Sequence, residues 1–217
     1  MPSERFVPAA SSWSMALVSS FEGFIFDYGG VLALHQTESD QARMAKVAGM
    51  PLELFSERYW SEREEYDKGV IDYLEYWAAV GRKGGKTLRQ SQIDELVEMD
   101  SESWMRFDDP MWEWLEQLRS AGKRIAMLSN MPRELGETLK TRTERLDHFD
   151  QVTLSYEVHS IKPEPAIYEH ALEGIGTTPQ QTLFLDDRIA NVQGAELLGI
   201  RGMQFTNSEE MLLRLKT

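Results

Sequence analysis

A chain of 217 residues exceeds the roughly 100–200 typical of one domain, leaving room for a core that carries an inserted smaller unit. Its formal charge of −13, with no basic stripe, argues against a nucleic-acid partner, because such affinity comes from Lys and Arg displacing counterions. The absence of cysteine excludes disulfides and thiolate chemistry and leaves any metal to oxygen donors or histidine, and no apolar run is long enough to span a bilayer.

Residues 1–20 hold Pro2, Glu4, Arg5 and Pro8 and no continuous apolar segment. They are read as an N-terminal extension, not a secretion signal, and a cytoplasmic location is the matching expectation. The first predicted strand is Phe24–Phe26, and Asp27 ends it. Gly29 and Gly30 follow at once, where the backbone can turn sharply and offer carbonyls to a cation or N–H groups to an anion. An Asx-type turn after a strand accounts for the same residues.

Residues 36–106 contain no predicted strand and are rich in Glu, Arg, Trp and Tyr at helical spacing, so they read as a helical insertion. A break at Gly81–Lys86 divides it in two; the Gly-Lys-Ser/Thr ending of a phosphate loop is missing there, and a solvated turn is expected. Arg58, Arg63 and Lys68 are candidate contacts for the far end of a substrate, with ion pairing to neighbouring acids as the alternative. Tyr73, Tyr76, Trp77 and Trp104 are assigned to the core of the insertion itself.

Residues 107–217 alternate strand and helix, as in a parallel sheet wrapped by helices. Asp109 is expected to cap a helix with Pro110 at its first position, Trp112, Leu115 and Leu118 on one face, and Gly122 at its end. Further strands are predicted at Ile125–Leu128, Val152–Leu154, Leu183–Leu185 and Gly202–Phe205. Ligands of such sheets collect at the carboxyl ends of the strands. Ser129 and Asn130 sit at one such end, as donors for phosphoryl oxygens or as simple helix caps before Pro132. Lys162, between Ile161 and Pro163, offers a compact positive charge. Asp186 and Asp187 end a buried strand, with Asn191 expected over the same helical face as Asp187. Two adjacent buried acids repel unless a cation lies between them, and Mg²⁺ suits one or two carboxylates with phosphate and water; a helix dipole accounts for one acid of the pair.

In this order the four segments resemble motifs one to four of the haloacid dehalogenase superfamily of hydrolases, over residues 24–206. The likeness is to the subfamily with a helical cap, and Phe26-Asp27-Tyr28-Gly29-Gly30-Val31 resembles the glucose-1-phosphatase-like sugar-phosphate phosphatases. That resemblance implies an α/β fold, a Rossmann-like doubly wound parallel sheet in the order 3-2-1-4-5. Residues 21–35 and 107–217 would form the core domain and residues 36–106 a mobile helical cap that excludes water. It further implies that Asp27 is a nucleophile forming an aspartyl-phosphate, with Lys162 as its partner. Mg²⁺ would be held by Asp27, the Gly29 carbonyl, Asp187 and Asp186, the last directly or through water. Ser129, Asn130, Lys162 and the N–H at Gly30 would hold the phosphoryl oxygens, with Asn191 in support.

The implied substrate is a small-molecule phosphate ester, a sugar phosphate being favoured; the oligomeric state is left open. Gly29 stands where most phosphatases of the superfamily carry a second aspartate that protonates the leaving group, and His35, Tyr28 or a cap residue are the candidate substitutes. Two other readings stay open. One is a 2-haloacid dehalogenase, a class that uses no Mg²⁺ and usually carries Ser and Asn in the fourth motif, against which Asp186-Asp187 speaks. The other is a weakly active or inactive Mg²⁺- and phosphate-binding protein that acts through a partner.

Overall fold

The computed structural model describes residues 19–215, so the expectation for the N-terminal extension falls, over residues 1–18, outside the described residues. Strand β1 (Gly23–Phe26) is followed by five helices before the next strand: α1 (Glu38–Ala48), α2 (Leu52–Ser61), α3 (Arg63–Asp67), α4 (Tyr73–Lys83) and α5 (Gln90–Ser103). Then come α6 (Asp109–Ser120), β2 (Arg124–Ser129), α7 (Arg133–Arg142), β3 (Gln151–Leu154), α8 (Ser155–Val158), α9 (Pro165–Ile175), β4 (Thr182–Asp186), α10 (Ile189–Leu197), β5 (Arg201–Gln204) and α11 (Ser208–Leu215). All four pairings in the sheet are parallel, in the order β3-β2-β1-β4-β5, as the sequence resemblance implied.

Alternation of side chains along the central strands makes two cores. Phe24 and Phe26 of β1, with Ile125, Met127, Leu183 and Leu185, pack toward α6, whereas Ile25, with Ala126, Leu128 and Phe184, packs on Ile167 and Tyr168 of α9. Burial on both faces is why these strands read as unbroken apolar runs. Among the described residues no helix is long and apolar enough to cross a membrane.

Two helix boundaries differ from expectation. The cap of α6 is Asp108, whose carboxylate accepts the Met111 N–H at 3.2 Å, and Pro110 is the second helical residue. Asp108 is held at that place because its own N–H donates to the Leu32 carbonyl at 3.0 Å, so the cap lies one residue before the predicted one and Asp109 is the first helical residue. The break in the insertion falls at Gly84–Gly85, and Gly81 to Lys83 continue α4.

The insertion has its own apolar cluster, including Met44, Phe55, Tyr59, Tyr76, Trp77 and Leu96, with Tyr73 partly buried against it. Trp104 does not belong there. The Tyr28 hydroxyl donates to its carbonyl at 2.7 Å and draws the end of α5 down onto the β1 loop, where Trp104 joins the cluster of Phe24, Leu32 and Trp112. Ion pairing accounts for all three candidate cations. Arg63 is buried between Asp67 (2.7 Å) and Asp100 (2.8 Å), and Arg58 pairs with Glu57. Lys68 pairs at 2.6 Å with Glu164, two residues after Lys162. The Tyr66 hydroxyl donates to Glu134, and Ser155 Oγ donates to the Asp67 carbonyl, so the α3 end of the insertion rests on the first turns of α7 and α8 as well as on Glu164.

Asp40 anchors the start of α1 in a capping box with Thr37 and pairs with Arg43 (2.8 Å) and Arg106 (2.9 Å). Burial works to raise its pKa, but the hydrogen bonds from Thr37 and Arg43 and the Arg106 charge outweigh it and hold it at about 2. A depressed carboxyl contributes stability that is present above its ordinary 3.8 and lost as pH falls toward 2. Asp40→Ala is therefore expected to cost about 1–2 kcal/mol in urea denaturation at pH 7, and the deficit to shrink through that acid window. A deficit that does not change with pH would show that the Asp40 charge contributes nothing.

Candidate active site

Asp27, Ser129 and the Asp186-Asp187 pair leave the carboxyl ends of β1, β2 and β4, three neighbouring strands, so residues about 160 positions apart in the chain meet at one edge of the sheet. Oxygen atoms of Asp27, Asp186 and Asp187 lie within 4.8 Å of one another. Lys162 enters from the loop before α9, with Nζ 2.7 Å from Asp27 Oδ1, 2.7 Å from Asp186 Oδ2 and 3.0 Å from the Leu128 carbonyl. Burial, and then the nearby Asp186, push the Asp27 pKa well above its ordinary value, against the pull of Lys162. For Lys162 burial acts downward, but Asp186 and Asp27 prevail and raise it.

Three carboxylates around one ammonium leave an excess of negative charge in a desolvated pocket, and every donor is an oxygen. That set fits a hard divalent cation such as Mg²⁺. The two acids of the pair differ in how much they are already engaged. Asp186 is fully buried and accepts from Lys162, from the Arg188 N–H at 2.8 Å and from the Asn191 amide at 3.0 Å on both oxygens. The sequence reading had Asn191 over Asp187; the first turn of α10 instead brings it back over the end of β4. Asp187 retains some exposure and lies 3.3 Å from His35 Nε2. Its hydrogen bond raises the His35 pKa, with burial opposing.

The loop after Asp27 also departs from expectation. The Gly30 N–H, expected to face phosphate, donates to the Ala33 carbonyl at 2.7 Å. Gly30 has a φ of +79°, and a Cβ there would lie 2.6 Å from His35 Cε1 and 2.9 Å from Asp187 Oδ2, so its glycine is what lets His35 reach Asp187. The bonds of this turn run from Ala33 to Tyr28 and from Gly30 to Ala33, and none uses the Gly29 carbonyl. A Cβ at Gly29 would meet Trp104 Cζ3 at 3.0 Å, so a second aspartate has no room unless the indole moves. Tyr28 is no stand-in for it: its hydroxyl is committed to Trp104, and burial pushes its pKa up.

Asn130 turns its amide to the backbone of Lys162, accepting its N–H at 2.8 Å and donating to its carbonyl at 3.1 Å. Ser129 is buried at the end of β2 and lines a cavity of about 510 Å³ that Asp27, Lys162, Asp187 and Asn191 also line. The insertion contributes Trp60, Arg63, Glu64 and Asp67 to the same cavity. Neither Arg58 nor Lys68 lines it. Sequence reasoning missed Trp60, Glu64 and Asp67. The only available signal was Trp60 itself, half exposed next to the fully buried Tyr59 and outside the apolar stripe of α2.

A model of the haloacid dehalogenase-like hydrolases matches residues 21–199. A sesquiterpene phosphatase of Aspergillus oryzae is 27% identical over 92% of this chain and 97% of its own length. An (S)-2-haloacid dehalogenase of Burkholderia cepacia is 25% identical over 84% of this chain and 82% of its own. Among solved structures, a magnesium complex of an enzyme of the same family from Bacteroides thetaiotaomicron superposes with a TM-score of 0.73 at 25% identity, covering 90% of this chain and 99% of that one. With the family matched over nearly the whole described fold, the chain belongs to the haloacid dehalogenase-like hydrolases, as a phosphatase-type hydrolase with Mg²⁺ as its cofactor.

Proposed function

We propose that the protein hydrolyses a phosphomonoester of a small metabolite through an aspartyl-phosphate on Asp27, with the helical insertion as the cap that closes over the cavity. The observation that carries this reading is Lys162, 2.7 Å from both Asp27 and Asp186, within a cluster that Asp187 completes. Asp27 Oδ1 accepts from the Tyr28 N–H and from Lys162, which leaves Oδ2 as the attacking oxygen. That oxygen bonds to phosphorus as the bond to the alcohol breaks, and the alcohol oxygen gains a proton. Water then attacks the phosphorus of the phosphorylated aspartate, releasing inorganic phosphate and restoring the carboxylate.

Mg²⁺, when held by Asp27, Asp187 and the Gly29 carbonyl, supplies positive charge to the phosphoryl oxygens and to the acidic cluster. Asp186, whose oxygens already accept four hydrogen bonds, would add its negative charge beside the metal. Ser129 and Lys162 receive the phosphoryl oxygens, and Asn130 holds the Lys162 backbone in register. His35, whose hydrogen bond to Asp187 raises its pKa, takes the place of the acid that Gly29 cannot supply.

The carboxylate cluster favours phosphoryl transfer over dehalogenation, since a site working without metal gains nothing from a third carboxylate. Release of phosphate from p-nitrophenyl phosphate and acetyl phosphate is expected with Mg²⁺ and is expected to stop in EDTA. Chloride release from 2-chloropropionate without metal, and no phosphate release, would turn the reading to a dehalogenase. Mg²⁺ binding by calorimetry with no turnover on either class would turn it to the binding protein.

A further inference from the structure

The floor and the walls of the cavity differ in chemical character. The floor is the acidic cluster with Lys162 and Ser129. Beyond it the apolar part of the lining is Trp60, Trp104, Met131, Leu135, Ile161 and Pro163. Trp60 projects from the insertion, half exposed, while Met131 and Leu135 come from the loop and helix after β2 and are almost fully buried. These side chains offer a bound alcohol hydrocarbon and ring faces.

The charged groups of the wall argue the same way. Arg63 lines the cavity, but it donates to Asp67, Asp100 and Tyr59 and lies beneath the rings of Tyr59, Tyr66 and Tyr76. Its charge is spent inside the insertion. Glu64 and Asp67 add negative charge, and the cations His35 and Arg188 lie beside acids, His35 3.3 Å from Asp187 and Arg188 near enough to Asp67 to oppose the burial that raises its pKa. A leaving group with a second phosphate or a carboxylate would therefore meet acids. A polyol would leave those of its hydroxyls that face Trp60, Met131, Leu135, Ile161 and Pro163 without partners, and each buried hydroxyl left unpaired weakens binding. Hydrocarbon placed there gains by leaving water.

We propose that the alcohol released by this enzyme is an uncharged, bulky hydrocarbon alcohol, so that its substrates are monophosphate esters of apolar alcohols. The proposal rests on the phosphatase reading, narrows it, and departs from the sugar phosphate that the sequence resemblance favoured.

The test compares kcat/KM, with Mg²⁺ present, for geranyl monophosphate, glucose 1-phosphate and 3-phosphoglycerate, with acetyl phosphate as the substrate whose leaving group barely reaches the wall. Geranyl monophosphate is expected to exceed the other two esters by about a hundredfold. Trp60→Ala, at a half-exposed position whose loss the fold tolerates, is expected to lower the ratio of kcat/KM for geranyl monophosphate over acetyl phosphate about tenfold, chiefly through KM. If acetyl phosphate is turned over but glucose 1-phosphate or 3-phosphoglycerate matches the geranyl ester, or if Trp60→Ala leaves that ratio unchanged, the substrate class is wrong and the phosphatase reading stands. If none of the four is hydrolysed, the phosphatase reading falls and this inference falls with it.

Discussion

Asp27→Asn is expected to lower turnover about ten-thousandfold or more while raising the melting temperature of the metal-free protein at pH 7. The first effect follows from the role proposed for the carboxylate, since an amide cannot form the phosphoryl ester. The second follows from its surroundings. Burial and the Asp186 charge raise the Asp27 pKa above the ordinary 3.8, and Lys162 offsets this only in part. A carboxyl that holds its proton more tightly in the folded chain than in the unfolded one lowers stability once pH passes 3.8. Ionised Asp27 is thus a liability at pH 7 that asparagine does not carry.

The gain should be a few degrees, on the order of 2–4 °C per kcal/mol for a chain of this size. It should shrink as pH falls toward 3.8 and vanish below about pH 3, where the carboxyl is protonated in both states, and shrink also when saturating Mg²⁺ stabilises the native protein. Calorimetric scans in EDTA and in Mg²⁺ at the two pH values check this. Full activity in Asp27→Asn would end its assignment as nucleophile, and an unchanged melting temperature in EDTA would mean that Lys162 alone balances the cluster.

Lys162→Met is expected to be harmful in both respects. The ammonium is the one side-chain cation bonded to Asp27 and Asp186 among the described residues, and both carboxylates are buried. Removing one partner of a buried ion pair typically costs about 3–5 kcal/mol, because the other charges stay behind uncompensated. The Lys162 pKa is raised on folding, so its contribution is fully present below 10.5 and complete at pH 7. Urea denaturation in EDTA should show that deficit at pH 7, a smaller one at pH 4.5 as the stranded carboxylates take up protons, and partial recovery with Mg²⁺. Loss of a preorganised donor to the phosphoryl group should also lower turnover about a hundred- to a thousandfold. A deficit under about 1 kcal/mol in EDTA would mean that Lys162 does not balance the buried acids.

What the sequence by itself determined was the sheet and the residues at its end. The apolar runs of β1, β2 and β4 are buried on both faces, and each terminates in the polar residue that a strand end must present to the ligand crevice: Asp27, Ser129 and Asp186. Such features depend on the chain a few residues either side, where spacing and side-chain type are informative. Partnerships across the chain depended on tertiary structure alone. Trp104 reads as a member of an aromatic helical stripe, yet a hydrogen bond from Tyr28, 76 residues earlier, places it against Gly29, where a second acid would have to displace the indole. Lys68 reads as a substrate contact or as the partner of a neighbouring acid, yet the acid it pairs with, Glu164, is 96 residues away. Asn191 and Gly30 were recognisable as site residues, but which oxygen or carbonyl each would bond followed from the turn of α10 and from the closing of the loop after β1. The make-up of the cavity wall was decided by the fold, which makes Trp60 of the insertion line one cavity with Met131 and Leu135, because side chains that distant in sequence share a surface only through packing.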